Sequence, residues 1–339
     1  MTAPHASCAG ARPKWPRLSG HVETLRPYDL VVVALVGASG AALGAPDPAP
    51  LAVATAAVSA AAACASALYA ADHLTRAEDL ATKPDRPIPS GRLSPRAAKT
   101  AAALAAVVAV VLASLLNVRA LLFVALGAAA YYAYGRRLKD RGLWGDLASG
   151  FAGWSCALLA GACLTAPWPP AGLVAPALAL GLQGAFGNLL LAVHDCPNDR
   201  RAGCRTFPVR HGVASAVRAL GVLSAATYAV AALSPWSTGR GSAAGFLLFL
   251  CAGLTLAVAV LSAARVRPAV EEARLRQAVD RHLFERLLLP GALLALAGLP
   301  VAAFAATAAA ALVVAMTPRP MLRLEPAREG LVLVDGGGR

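Results

Sequence analysis

Apolar residues in this chain fall into long runs that are separated by short polar segments. Most of these runs contain about 18–25 residues, enough to cross a hydrocarbon core of about 30 Å as an α-helix. They lie at residues 28–44, 51–71, 97–116, 118–135, 147–166, 172–194, 214–233, 243–264 and 288–316. Because a backbone in lipid must satisfy its own hydrogen bonds, the pattern predicts an all-α, polytopic membrane bundle of about nine transmembrane helices.

The composition supports this interpretation. The chain is 58% hydrophobic and only 14% charged, whereas soluble domains are usually about 45–50% apolar and about 25% charged. The formal net charge of +13 is also typical of nucleic-acid-binding proteins. Here, however, the basic residues lie in the loops between apolar runs, where the positive-inside rule accounts for them. We therefore expect the lipid bilayer as partner, with no nucleic acid and no obligate protein partner.

Lysine and arginine are distributed unequally between the two sides of the predicted bundle. If the N-terminus is cytoplasmic, 25 of the 31 Lys and Arg residues fall on the cytoplasmic side. This bias predicts a multi-pass protein of the plasma membrane with its N-terminus and active site facing the cytoplasm. Residues 1–317 are expected to form one transmembrane domain with a flexible segment at 1–20, and 318–339 a disordered tail. The mixed-charge stretch from Glu271 to Arg286 is interpreted as a surface helix.

Two aspartates follow the second apolar run. Asp72 and Asp79 are seven residues apart, which on a helix places them roughly 10 Å apart on nearly the same face. Acids at the end of a membrane helix are unfavourable unless they are hydrated, paired or bound to a metal. Two interpretations stay open: a solvated helix end that faces basic neighbours, or part of a ligand set.

A second pair of aspartates follows the sixth run. Asp195 and Asp199 are four residues apart, so a helix would place them on one face. Like charges repel there, which favours a bound cation or cationic neighbours. Pro197 lies between them and disfavours regular helix, so the two acids could instead flank a kink. A loop pair balanced by Arg200, Arg201 and Arg205 is the alternative.

The two acid pairs are predicted to lie on the same side of the membrane, beside many cations. These cations are Lys83, Arg86, Arg136, Arg137, Lys139, Arg200, Arg201 and Arg205. Carboxylates that hold Mg²⁺, next to Arg and Lys that hold oxyanions, form the composition that a diphosphate needs. An adjoining apolar interior can hold a hydrocarbon tail. The combination indicates a polyprenyl diphosphate donor, with Mg²⁺ bound by Asp72, Asp79, Asp195 and Asp199.

With these motifs the chain resembles the UbiA superfamily of intramembrane prenyltransferases. The loop Pro84–Gly91, with sequence PDRPIPSG, matches the family pattern and fixes the register of Asp72 and Asp79. The second motif matches at Asp195, Asp199 and the segment 206–209. Tyr134 to Lys139 is similar to the family's loop between spans four and five. The resemblance implies Mg²⁺-dependent transfer of a prenyl group from its diphosphate to a small aromatic or lipid acceptor. The resemblance also assigns a diphosphate contact to the Lys of the loop between spans four and five, here Lys139, and we predict the same role for the loop cations Lys83, Arg86 and Arg205.

The first motif departs from the family at two positions. Ala71 replaces an Asn and Thr75 replaces the middle Asp, so two ligand side chains are missing. A non-catalytic or transport-like relative that binds a prenyl lipid is therefore a competing hypothesis. An unrelated secondary transporter is a second, but it predicts charges in the middle of spans, whereas these acids cluster at helix ends. Asn188, in the sixth run, either lines the cavity or bonds within the bundle.

Overall fold

The structure is a computed structural model that describes residues 16–201, 203–264 and 271–317. Within these ranges the chain is helical and contains no β-strand, which confirms the predicted all-α class. The helices are α1 Pro16–Leu25, α2 Pro27–Gly44, α3 Pro50–Leu74, α4 Arg76–Thr82, α5 Pro95–Leu116, α6 Ala120–Ala133, α7 Leu143–Gly150, α8 Cys156–Cys163, α9 Val174–Arg201, α10 Phe207–His211, α11 Val213–Ala231, α12 Ser234–Thr238, α13 Ala243–Ala264, α14 Glu271–Leu296 and α15 Pro300–Met316.

Six helical segments in the described residues are long and apolar enough to cross a membrane. They are Pro27–Gly44, Pro50–Leu74, Pro95–Leu116, Ala171–Arg201, Val213–Thr238 and Ala243–Ala264. The remaining crossings are shorter or interrupted. For example, α7 and α8 are joined through the π-helical turn Phe151–Ser155. The predicted multi-pass membrane bundle is confirmed, whereas the number nine is not.

The last predicted span is a helical hairpin. The apolar run at 288–316 is divided between α14 and α15, which meet at a turn where Gly298 has φ +92°. Gly291 of α14 packs directly against Thr307 of α15, and the two residues are nearly equidistant from the turn, so the helices are antiparallel. The dipeptide Leu299-Pro300 after the glycine is the sequence signal for this turn.

From Leu275 onwards one face of α14 is buried in the bundle, so the interpretation of this charged stretch as a surface helix is wrong. Glu285 is fully buried, with Gln183 Nε2 at 2.7 Å from its Oε1 and His282 Nδ1 at 2.9 Å from its Oε2. The hydroxyl of Tyr228 also donates to Oε1. A buried carboxylate is tolerated when its oxygens are satisfied in this way. The cluster joins α9, α11 and α14.

The predicted flexible and disordered termini fall largely outside the described residues. Residues 1–15 and 318–339 lie beyond them, while residues 16–20 belong to α1. One ion pair places α1 against the rest of the bundle, because Arg92 Nη1 lies 2.6 Å from Glu23 Oε2. The part of the predicted flexible segment that is described is therefore helical.

Small residues allow the central helices to approach closely. Gly40 of α2 faces the backbone of Leu158 on α8, and Gly161 of α8 faces the backbone of Gly37. A Cβ added to Gly40 or Gly161 would overlap a carbonyl oxygen of the opposite helix. Close backbone contact of this kind is a main source of helix association in membranes, where no hydrophobic effect separates protein from lipid.

This packing predicts the effect of Gly40→Ala. The new methyl group must displace the backbone of α8, and overpacking of this kind costs about 1–3 kcal/mol. We expect a lower thermal unfolding midpoint for the purified protein in detergent. Gly221→Ala is the matched control, because a Cβ there would lie 4.0 Å from its nearest neighbour, Val260 Cγ1. Equal midpoints for both variants would contradict the proposed contact.

Candidate active site

The structure brings the two acid segments together at one end of the bundle. The first acid segment, Asp72 to Asp79, spans the last turn of α3 and most of α4, and the second, Asp195 to Asp199, lies near the end of α9. Lys83, which follows α4, places its Nζ 3.0 Å from Asp195 Oδ2. This ion pair connects the segment after the second predicted span with the segment after the sixth.

Each of the four predicted aspartates has its own cation. Asp72 Oδ1 lies 2.9 Å from Arg26 Nη2, Asp79 lies 2.6 Å from Arg86 Nη1, Asp195 Oδ2 lies 3.0 Å from Lys83 Nζ, and Asp199 Oδ1 lies 3.6 Å from Lys139 Nζ. Asp72 and Asp79 are 4% and 5% exposed. Carboxylates this buried persist as anions only when a cation or donor compensates their lost hydration.

Arg26 is a site residue that the sequence interpretation did not identify as an acid partner. It stands between α1 and α2 with φ 46° and ψ 73°, and it is the one non-glycine residue with positive φ in the described ranges. A left-handed conformation at a residue other than glycine is strained and is often found at functional sites. The Arg26-Pro27 dipeptide marks the start of α2, because proline is favoured in the first turn of a helix, but it does not reveal the pairing with Asp72.

The replacement at Thr75 changes how the first acid segment is organised. Thr75 Oγ1 lies 3.0 Å from Asp79 Oδ2 and 3.0 Å from the carbonyl oxygen of Ala71. The position that carries the middle Asp in the resembled family therefore holds a hydroxyl in contact with the last Asp. Thr75 orients Asp79 and supplies no carboxylate of its own.

Helix α9 continues through Pro197, so the second acid segment is helical and not a loop. Asp195 and Asp199 remain one turn apart on it. His194 contacts the first of them, with Nδ1 at 3.1 Å from Asp195 Oδ1. The predicted proximity on one helical face is therefore present, and Lys83 and Lys139 lie beside the two carboxylates.

Three of the four predicted diphosphate-binding cations contact these acids, and Arg205 does not. Lys83, Arg86 and Lys139 form the ion pairs given above. Arg205 is exposed, and its described contact is made by its backbone N, which donates to Asp140 Oδ1 at 2.7 Å. The loop after α9 turns at Gly203, with φ +72°, and this places Arg205 against Asp140 rather than against the acids.

The donor set suits Mg²⁺ without forming a complete metal cage. Among the described residues, no three His, Cys, Asp or Glu side chains converge closely enough to hold a metal ion by themselves. Each carboxylate is held by a Lys or Arg instead. Carboxylate oxygens are nevertheless the ligands Mg²⁺ prefers, and Mg²⁺ usually completes its shell with substrate phosphates and water. The residues therefore fit a metal that is shared with a diphosphate.

A further polar cluster lies deeper along α9. Asn188 Nδ2 donates to Asp146 Oδ1 at 2.6 Å and to the hydroxyl oxygen of Tyr134 at 2.9 Å. Asp146 lies in the first turn of α7 and is 5% exposed. Asn188 was left undecided in the sequence, and Asp146 was not identified there. The sequence signal for Asp146 is its position as a single acid at the start of the apolar run 147–166.

The ion pair between Arg26 and Asp72, at the end of the bundle that carries the acids, predicts an effect on the free energy of unfolding. Arg26→Gln leaves Asp72 buried without its ion-pair partner, which should cost about 3 kcal/mol of unfolding free energy. The double variant Arg26→Gln with Asp72→Asn removes both charges and should recover much of that loss. Thermal unfolding in detergent measures both. If the double variant is as unstable as the sum of the two single variants, the two groups do not interact.

Comparison with known proteins shows the family to which the chain belongs. The model of the UbiA prenyltransferase family matches residues 30–284. The digeranylgeranylglyceryl phosphate synthase of Ignicoccus hospitalis is 32% identical over 254 residues, covering 73% of this chain and 82% of that relative. The synthase of the same name from Methanopyrus kandleri is 32% identical over 168 residues, and that match spans only 58% of the relative and 48% of this chain.

Solved structures show the same fold. A UbiA homologue from Aeropyrum pernix K1 superimposes with a TM-score of 0.62 at 22% identity, over 77% of this chain and 96% of the other. A UbiA homologue from Archaeoglobus fulgidus bound to GPP and Mg²⁺ gives a TM-score of 0.59 at 16% identity, over 87% of this chain and 99% of the other. At these identities the likeness concerns the arrangement of helices.

Proposed function

Because the chain belongs to the UbiA prenyltransferase family, we propose that its two acid segments bind an allylic prenyl diphosphate together with Mg²⁺. The observation that carries the proposal is the Lys83–Asp195 ion pair, which connects the loop after the first acid segment with the second acid segment. Acids that suit Mg²⁺ and cations that suit phosphate oxygens lie side by side there. The bundle then transfers the prenyl group to an acceptor.

Four aspartates would hold the metal: Asp72, Asp79, Asp195 and Asp199. When bound, Mg²⁺ would neutralise charge on the diphosphate leaving group. Lys83, Arg86 and Lys139 would exchange their carboxylate partners for phosphate oxygens, because charge-assisted hydrogen bonds to phosphate are strong. Positive groups placed where negative charge develops favour the departure of diphosphate.

The transferred prenyl group is a hydrocarbon, so it would lie among apolar residues on the inward side of the acid segments. The residues inward of the acid segments belong to apolar helices α2, α3 and α9. An apolar wall keeps water from the carbon that loses the diphosphate, which limits hydrolysis. The charged end of the donor would therefore rest on the acid segments, with its tail inside the bundle or towards lipid.

The names of the relatives indicate the acceptor class. Several are digeranylgeranylglyceryl phosphate synthases, a name that describes a glyceryl phosphate bearing two geranylgeranyl groups. We propose geranylgeranyl diphosphate as donor and a hydroxyl group of a prenylated glyceryl phosphate as acceptor. This lipid acceptor is favoured over the small aromatic acceptor that the sequence left open.

The orientation proposed from the sequence gains support from the hairpin. Since α15 runs antiparallel to α14, its last residue, Met316, lies at the end of the bundle that carries the acids. This is the end for which the sequence predicts 25 of the 31 Lys and Arg residues. We propose a plasma-membrane protein with both the N-terminus and the active site on the cytoplasmic side.

The function is tested by release of diphosphate from geranylgeranyl diphosphate by the purified protein in lipid nanodiscs, with a glyceryl phosphate that carries one geranylgeranyl chain supplied as acceptor. We expect release with Mg²⁺ and its loss after EDTA. Asp195→Asn and Asp199→Asn should each reduce release by about 10–100-fold or more, because each removes a metal ligand. Release is compared per folded molecule, because each variant also removes the carboxylate of an ion pair at this end of the bundle.

Asp47→Asn is the matched control, since Asp47 is exposed on the loop between α2 and α3 at the opposite end of the bundle. It should release diphosphate at the wild-type rate. Binding of the prenyl diphosphate without any release by the wild type would instead favour the non-catalytic relative that Ala71 and Thr75 suggest.

A further inference from the structure

The acid segment on α9 continues inward as a polar stripe. Asn188, Asp195 and Asp199 are separated by seven and four residues, so they share one face of the helix. At a rise of 1.5 Å per residue, Asn188 lies about 10 Å further into the bundle than Asp195. In the proposed function the diphosphate binds at the acid segments, so Asn188 lies on the inward side of the bound diphosphate.

The cluster formed by Asn188, Asp146 and Tyr134 is connected to the second acid segment through one short stretch of the chain. The short segment Tyr134–Lys139 contacts Asn188 through the Tyr134 hydroxyl and Asp199 through Lys139. Gly145, next to Asp146, packs directly on the backbone of Leu138 in that segment. Asp146, Asn188 and Lys139 are therefore held in one fixed arrangement.

Asp146 differs from the four aspartates of the acid segments in its partners. Each of those four is paired with Lys or Arg, whereas no ion pair to Asp146 is present in the described part of the chain. Its recorded hydrogen-bond partner is the neutral amide of Asn188. The fully buried Glu285 differs too, because Gln183, Tyr228 and His282 already donate to it or contact it. Asp146 is a buried carboxylate with capacity to accept another hydrogen bond.

We infer that Asp146 is the base that receives the proton of the acceptor hydroxyl, with Asn188 as the residue that positions it. This inference rests on the proposed function. The acceptor oxygen forms a bond to C1 of the prenyl group, while the bond from C1 to the diphosphate oxygen breaks and its electron pair leaves with diphosphate. The hydroxyl proton passes to Asp146, so charge and atoms balance. Such base catalysis contributes about 10²–10⁴-fold.

The test compares Asp146→Asn with the wild type in two assays on the full-length protein in nanodiscs. The first is Mg²⁺-dependent diphosphate release from geranylgeranyl diphosphate alone. The second is transfer to a glyceryl phosphate that carries one geranylgeranyl chain. We expect Asp146→Asn to retain release but to lose transfer by about 100-fold or more, because the amide keeps the Asn188 contact and cannot take a proton. Its residual transfer should rise with pH, as solvent hydroxide replaces the base.

Two further variants keep the result interpretable. Glu285→Gln changes an equally buried carboxylate outside this cluster and should keep transfer per folded molecule. Asp146→Glu restores a carboxylate and should recover part of the lost transfer. Wild-type transfer by Asp146→Asn, or an equal loss in release and transfer, would overturn the role of Asp146. A wild type that releases no diphosphate would overturn the proposed function itself.

Discussion

Burial of acids at the end of a membrane bundle is the constraint on which this structure depends. Asp72 and Asp79 are almost fully buried, so each requires a compensating positive group. Arg26 and Arg86 supply it, and Lys83 and Lys139 do the same for the second acid segment. The pairs of Lys83 and Lys139 hold the loop after α4 and the segment after α6 against the end of α9, and the Arg26–Asp72 pair holds the start of α2 against the end of α3. The same ion pairs therefore determine both the charges of the site and the arrangement of the segments around it.

The same pairs explain how a site can be ordered and still accept a highly charged substrate. A cation that neutralises a carboxylate in the free protein can bind phosphate oxygens when a metal occupies that carboxylate, so no charge is left uncompensated in either state. Thr75 fits this scheme, since its hydroxyl orients Asp79 where the resembled family has an acid. The departure at this position reduces the number of ligands but preserves the organisation of those that remain.

Further into the bundle, the described partners of the carboxylates of Asp146 and Glu285 are Asn, Gln, Tyr and His side chains and not Lys or Arg. Asn188 joins Asp146 and Tyr134, while Gln183, Tyr228 and His282 surround Glu285. The two clusters differ in how fully the carboxylate is engaged, and this difference separates an acid that ties helices together from one that can receive a proton. Close packing at Gly40 and Gly161 holds α2 against α8. Helix α2 also contacts the hairpin α14–α15, because Ser39 Oγ donates to the carbonyl oxygen of Pro290 at 2.8 Å.

The sequence by itself determined the membrane bundle, because hydropathy is a local property that each run carries alone. It also determined the register of the four aspartates of the acid segments, through the loop Pro84–Gly91 and the spacing of Asp195 and Asp199. It could not determine that Arg26 pairs with Asp72 or that Asn188 pairs with Asp146, since these partners are 46 and 42 residues apart in the chain. Gly298 and Pro300 are the local signal for the turn in the apolar run after Arg286, but hydropathy does not show it, because apolar residues continue on both sides of Gly298. Only the tertiary structure decides which distant groups meet, because burial forces each polar group to find a partner wherever the packed helices place one.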